Sequence, residues 1–251
     1  MQAALTAAES GHEVILCEKN SRLGGSILCE DNVPFKKYLK KYIQQRERMI
    51  ANAGIDLRLN TEVTPERARS FNANVIIAAI GAEAVKPDIP GIDGPNVIAA
   101  ATAYEKPGMV KDTAVILGGG LVGSELAIYL ASLGKKACIV EMADSLNFSG
   151  NHLHGSAITA QVQIDSIDVH LKTKAKRIDE GGVWCDTPQG EQYIKGGSVV
   201  YAVGYKPLNN KAAAFYDCAE HFHPLGDCVL VQNIGEATAA AMTIASDIGR
   251  Y

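Results

Sequence analysis

One segment near the middle of this 251-residue chain limits its fold more than any other. Thr113-Ala-Val-Ile-Leu117 is an apolar run that passes at once into Gly118-Gly-Gly120-Leu-Val-Gly123. A helical pattern then runs from Ser124 to Leu133, and Gly134 breaks it. A second apolar run, Ala137-Cys-Ile-Val140, ends at Glu141. Strand, glycine turn, helix, strand and acid, in that order, describe a dinucleotide-binding βαβ unit. A glycine string alone says little, but here each glycine has a task. Gly118 permits the tight turn, Gly120 lets the backbone approach a pyrophosphate, and Gly123 lets helix and strand pack closely. The helix start offers unpaired N–H groups and a positive dipole end to the phosphates. Glu141 stands where a carboxylate accepts hydrogen bonds from a ribose 2′-hydroxyl. Its charge would repel a 2′-phosphate, and no arginine follows in Met142-Ala-Asp-Ser145, so NAD(H) is favoured over NADP(H). The plainer alternative is a structural βαβ unit without a ligand.

Shifting the sequence by 123 residues reveals a second copy. Gly11 falls on Gly134, Val14-Ile-Leu-Cys-Glu18 on Ala137–Glu141, and Val75–Gly81 on Ser198–Gly204. At an offset of 112, Leu57-Arg-Leu-Asn-Thr61 matches Val169-His-Leu-Lys-Thr173. The stretch from Arg177 to Ile194 alternates apolar and polar residues around two glycine-rich turns and reads as a small antiparallel meander. The expected fold is therefore α/β, with two Rossmann-like units. In this alignment Met1 falls on Ser124, so the counterparts of the first strand and of all three glycines would precede Met1. We read the chain as a C-terminal fragment of a larger protein or the product of a mis-assigned start codon.

Composition narrows the function classes. Hydrophobic residues make up 47% of the chain and the net charge is −4, which excludes a disordered segment. A pI near 5.9 provides no basic surplus for nucleic acid. No apolar run approaches the ~18 residues of a membrane helix. Six cysteines without a CxxC pair suit a reduced, cytoplasmic protein and not a disulfide scaffold or a dithiol reductase.

Several further motifs together resemble a known family. Glu18-Lys-Asn-Ser-Arg22-Leu-Gly-Gly25 looks like the acid and R-x-G-G element of flavoproteins with two dinucleotide-binding units. Ala79-Ile-Gly81, leading to Pro87-Asp-Ile-Pro-Gly91, and Ala202-Val-Gly204, leading to Pro207, resemble paired A-T-G-x-x-P turns, with Ile80 and Val203 in place of threonine. His223-Pro-Leu-Gly-Asp-Cys228 resembles the late G-D motif, and Gly235–Met242 the helix that approaches a flavin. With Phe35–Ile43 and Gly54-Ile-Asp-Leu, the whole is similar to the C-terminal FAD/NAD(P)-binding region of old-yellow-enzyme-type NADH:flavin oxidoreductases. That group includes 2,4-dienoyl-CoA reductase, trimethylamine dehydrogenase and bile-acid-inducible desaturases.

The resemblance implies an NAD unit over residues 108–199 inserted into an FAD unit formed by 1–107 and 200–251. It implies FAD contacts from Glu18, Arg22, Leu23, Gly24, Gly25, Val63, Ala79, Gly81, Gly226 and Asp227. For NAD(H) it implies Gly118, Gly120, Leu121, Val122, Gly123, Glu141 and Gly204. Electrons would pass from NADH through FAD toward an upstream barrel carrying a flavin and an iron–sulfur cluster. Hydride transfer between stacked rings needs orientation, not an acid or nucleophile, so no catalytic side chain is assigned. The rival reading is a non-catalytic ADP- or NAD-binding domain. Glu125 either faces the nicotinamide ribose or simply complements the helix dipole. His152 and His154 read as solvated residues of a Gly-flanked loop. Cys218, His221, His223 and Cys228 are dense in soft ligands but lack close cysteine pairs, so no metal site is assigned.

Overall fold

A computed structural model describes residues 1–146 and 152–250. The chain divides into two compact units, Met1–Glu83 with the stretch from Tyr205 onward, and Ala84–Gly204. The first unit begins with α1 (Gln2–Glu9), β1 (Ile15–Cys17), α2 (Lys37–Asn52), β2 (Asp56–Arg58), α3 (Pro65–Ser70), β3 (Val75–Ala78) and β4 (Ala82–Ala84). In α2, Ile43 and Ile50 lie seven residues apart on one face and are both fully buried, while the lysine-rich face is solvated. Thr64 caps α3 by accepting the Arg67 N–H at 3.3 Å, and Pro65 occupies the first helical position, where no N–H is needed.

The second unit contains β5 (Val97–Ala99), α4 (Ala100–Glu105), β6 (Thr113–Leu117), α5 (Leu121–Ser132), β7 (Lys136–Val140), α6 (His152–Ile164), β8 (Asp168–His170), β9 (Lys174–Asp179), β10 (Gly182–Thr187), β11 (Gly190–Lys195) and β12 (Ser198–Tyr201). Five strands form one sheet in the order β5-β12-β6-β7-β8, with the neighbours parallel. Because β6 is central and covered on both faces, its residues Ala114–Leu117 are all buried and apolar. Helix α5 is buried from Gly123 to Leu130, against the sheet and between α4 and α6, which explains its lack of a polar stripe. Strands β9, β10 and β11 form an antiparallel meander, where the alternation had indicated one. Val183, Cys185 and Ile194 of the meander join Val115, Leu117, Val140 and Val199 in one core.

The first unit resumes with β13 (Tyr205–Pro207), α7 (Asn209–Ala213), β14 (His221–Pro224) and α8 (Ile234–Ser246). Its sheet is split. β1 pairs with β2 and β3 with β14, both parallel, and β4 pairs with β13.

Two sequence expectations differ from this arrangement. The second unit starts at Ala84 and ends at Gly204, not at 108 and 199. Strand β5 hydrogen-bonds in register with β12, Val97 opposite Val199, and Ala103 and Tyr104 of α4 are buried, which carries this segment into the second unit. The histidines 152 and 154 begin α6 instead of lying on a loop, and Gly155 is buried within that helix. Asn151, the start of that expected loop, lies outside the described residues.

Candidate nucleotide-binding site

In the second unit the candidate residues gather at the carboxyl ends of parallel strands, where open α/β sheets place their ligands. Gly118–Gly120 follow β6, Glu141 follows β7, and Ala202–Gly204 follow β12. Gly118 adopts φ +110°, and a Cβ there would lie 2.4 Å from the carbonyl oxygen of Ala202. At Gly123 a Cβ would lie 2.0 Å from the Gly118 oxygen. Only glycine fits either position, so the turn and the first turn of α5 are locked against each other. Gly120 caps α5 without a side-chain acceptor, so no side chain of the cap occupies the opening N–H groups of the helix. Leu121 is exposed, Gly123 buried, and the Tyr104 hydroxyl donates to the Val122 carbonyl at 3.0 Å.

Glu141 does more than the acid of the motif required. Its Oε2 accepts the Gly119 N–H at 2.6 Å and its Oε1 accepts the Ala143 N–H at 2.8 Å. The carboxylate thus clamps the glycine turn to the loop after β7. A carboxylate has about four acceptor directions, which leaves capacity for a ribose hydroxyl. Gly119 is a site residue that the sequence reading passed over. A Cβ there would sit 2.7 Å from the Leu146 side chain and 3.0 Å from Glu141 Cβ. The signal was present in the run of three consecutive glycines. This glycine cradle, with its open helix start and acid, fits the pyrophosphate and ribose of a dinucleotide.

Glu125 is 4% exposed, deep in the first turns of α5. It meets Nε2 of His154 at 3.0 Å, so it has a specific partner and is not a solvated dipole-complementing acid.

In the first unit the same topology recurs. Glu18 follows β1, Ala79–Gly81 follow β3, and Gly226–Asp227 follow β14. Glu18 accepts the Asn20 N–H at 2.8 Å, the same two-residue loop bond that Glu141 makes to Ala143. Arg22 is exposed and pairs with the buried Asp31 at 3.4 Å. The side chain of Leu23 is buried in a core with Leu5 and Ile50, leaving only its backbone to face a ligand. Gly24 and Gly25 both have positive φ and lead into a 3-10 turn. Val63 packs against the small core of Ala68, Phe215 and Cys218, so it too can offer only its backbone. Asp227 accepts the Gln232 N–H at 3.3 Å. Ile80 and Val203, the residues in place of threonine, are 39% and 41% exposed at equivalent strand ends. Glu18, Ala79–Gly81 and Gly226–Asp227 thus stand at the carboxyl ends of β1, β3 and β14, as their counterparts do in the second unit.

Among the described residues no cluster of His, Cys, Asp and Glu is arranged to hold a metal ion. Nor is any helix among them long and apolar enough to cross a membrane.

Known proteins share this arrangement. A cinnamate reductase of Clostridium sporogenes is 31% identical over 252 residues, covering 99% of this chain and 37% of its own length. An NADH oxidase of Thermoanaerobacter brockii is 30% identical, covering 99% of this chain and 39% of its own. Of solved structures, a 2-naphthoyl-CoA reductase superposes with a TM-score of 0.91 at 25% identity, over 98% of this chain and 37% of that one. The chain therefore spans less than two fifths of the length of these relatives. The pattern of the pyridine nucleotide-disulphide oxidoreductases matches residues 1–220, and the chain belongs to that family of oxidoreductases, whose cofactors are FAD and NAD(H).

Proposed function

We propose that this chain is the NADH-oxidising module of an old-yellow-enzyme-type flavin oxidoreductase. Its electrons pass from NADH through FAD to a flavin and iron–sulfur barrel upstream in a longer cytoplasmic protein. The observation that carries the nicotinamide half is that Glu141 holds the glycine turn through Gly119; in this reading its carboxylate takes the ribose hydroxyls. Gly118, Gly120, Leu121, Val122 and Gly123 bind the pyrophosphate by backbone N–H groups, and Gly204 closes the turn after β12. On the flavin side Glu18 takes the adenosine ribose. Arg22, Leu23, Gly24, Gly25, Gly226 and Asp227 border the pyrophosphate and ribityl chain, Val63 borders adenine, and Ala79 and Gly81 form the adjoining turn. FAD, when bound, supplies the hydride-accepting ring; the protein orients it and excludes water. The terminal substrate is chosen upstream.

A second reading is a nucleotide-binding module that holds NAD(H) or ADP without redox turnover; the glycine turn after β6, clamped by Glu141, would serve it equally. Visible absorbance separates the two. A flavin band that appears on adding FAD and bleaches with NADH supports the module. A colourless protein that binds ADP but never FAD supports the second reading. Titration with NADH against NADPH tests Glu141. Tighter binding of NADH is expected, lost or reversed in Glu141→Arg, and a native preference for NADPH would refute the assignment.

A further inference from the structure

Two side chains hold the opening turn of α5 from outside the helix. Glu141, at the end of β7, accepts the Gly119 N–H and so fixes the peptide plane between Gly118 and Gly119. The other is Tyr104 of α4, whose hydroxyl donates to the Val122 carbonyl at 3.0 Å. That carbonyl has two lone pairs, and the helix takes one of them for the N–H four residues on. The hydroxyl therefore adds to the helical bond without replacing it.

A carbonyl and the N–H of the next residue share one rigid plane and point in opposite directions. By holding the Val122 carbonyl, Tyr104 sets the direction of the Gly123 N–H. The Ser124 N–H bonds back to the Gly120 carbonyl at 3.0 Å, whereas helix geometry gives Leu121, Val122 and Gly123 no acceptor in their own helix. The plane held by Tyr104 thus carries one of the N–H groups with which the helix begins. Donation to its carbonyl also polarises the amide and makes that N–H a stronger donor to an anion.

Packing places the hydroxyl. Tyr104 is 1% exposed, and its ring stacks on Tyr129 of α5 with centroids 5.9 Å apart and planes 14° from parallel. Helix α4 is brought there by β5, which joins the sheet beside β12. Phenylalanine would fill the same volume with no buried hydroxyl to satisfy, so the hydroxyl serves hydrogen bonding and not packing.

From this geometry we infer that Tyr104 is a positioning residue of the nucleotide site. From α4 it aims the Gly123 N–H at the pyrophosphate of NADH, acting through the backbone of α5 and not by contact with the ligand. The inference rests on the proposed binding of NADH at this turn, and it adds a residue that lies outside the glycine motif.

The test compares the full chain with Tyr104→Phe, by titration with NADH and by competition with inorganic pyrophosphate and with adenosine. Loss of the hydroxyl should weaken NADH and pyrophosphate by the same factor, about three- to ten-fold, and leave adenosine unchanged. Tyr129→Phe removes a hydroxyl from the same ring pair while leaving the bond to Val122, and should change none of the three. Circular dichroism verifies that each variant is folded. Unchanged NADH affinity in Tyr104→Phe would overturn the inference. So would equal losses for NADH and adenosine, the mark of a general loosening of the unit, or equal losses in the two variants. A parent chain that binds neither NADH nor pyrophosphate would refute the NADH reading itself, and the inference with it.

Discussion

Alanine at Gly123 probes the lock between the glycine turn and α5. The new Cβ would stand 2.0 Å from the Gly118 oxygen and 3.3 Å from Cγ2 of Ile116. A carbon–oxygen contact needs roughly 3.3 Å, so α5 must retreat locally by about 1.3 Å. The Gly118 carbonyl cannot easily rotate aside, because it shares a peptide plane with the Gly119 N–H, which Glu141 holds at 2.6 Å, and α5 is packed on several sides. Retreat separates Leu126, Ala127 and Leu130, all fully buried, from the sheet or neighbouring helices. Gaps of 0.5–1 Å already forfeit about a quarter to a half of each contact. Against this, alanine gains about 1 kcal/mol of helix propensity over glycine. The net expectation is a loss of about 2–3 kcal/mol, or about 4–12 °C in Tm. Displacing the turn from the pyrophosphate should weaken NADH binding about ten-fold or more. Thermal unfolding by circular dichroism and NADH titration measure both, with Gly108→Ala as control, since a Cβ at Gly108 meets nothing within 4 Å. A Gly123→Ala variant as stable as the parent, or stabilised by the propensity gain, would refute the packing argument.

Other expectations follow from other parts of the molecule. In the meander, Asp179 accepts from the Tyr193 hydroxyl at 2.5 Å, from the Gly181 N–H and from the Trp184 indole, and these bonds hold its carboxyl below the usual range. The resulting stability is present above the unfolded carboxylate pKa of about 3.9 and is lost as pH falls through the lower folded value. The hydrogen bond to Asp179 raises the Tyr193 phenol, so its share is present below about pH 10 and lost as pH rises through the folded value. The Tm gap between the parent and Asp179→Asn should therefore close in acid, with Trp184, the sole tryptophan, as fluorescence reporter. A gap independent of pH would contradict this. Burial pushes the Cys138 thiol up to about 12 and the Cys185 thiol to about 11. Both should resist iodoacetamide at pH 8 in the folded chain and react only after denaturation, as peptide mapping would show; equal labelling in both states would refute it. Asn233 caps α8 by accepting the Glu236 N–H at 3.0 Å, so Asn233→Ala should cost about 1 kcal/mol. Denaturant titration would detect it, and an unchanged midpoint would count against the cap.

Much of the fold was legible because its signals are local. The run from Thr113 to Glu141 spells strand, turn, helix and strand in contiguous residues, and φ preference, apolar periodicity and helix termination act over a few positions at a time. The repeat extended that reading to the second copy without any knowledge of contacts. The boundary at Ala84 was not legible. Val97–Ala99 is a short apolar run whose partner, Val199–Tyr201, lies about a hundred residues later, and strand pairing at that distance leaves no mark in the run itself. The helical start at His152 was obscured by neighbouring glycines, although Gly155 is tolerated because it packs in the interior.

The sequence by itself determined that this chain repeats a Rossmann-like unit, and that the acids at 18 and 141 follow equivalent strands. Only the tertiary structure decided what those acids hold. Glu141 reaches Gly119 across 22 residues and Glu125 meets His154 across 29, pairings made by packed helices and adjacent parallel strands. It also set β6 between β12 and β7 in one parallel sheet. A central strand is defined by neighbours on both sides, and those neighbours are distant in the chain.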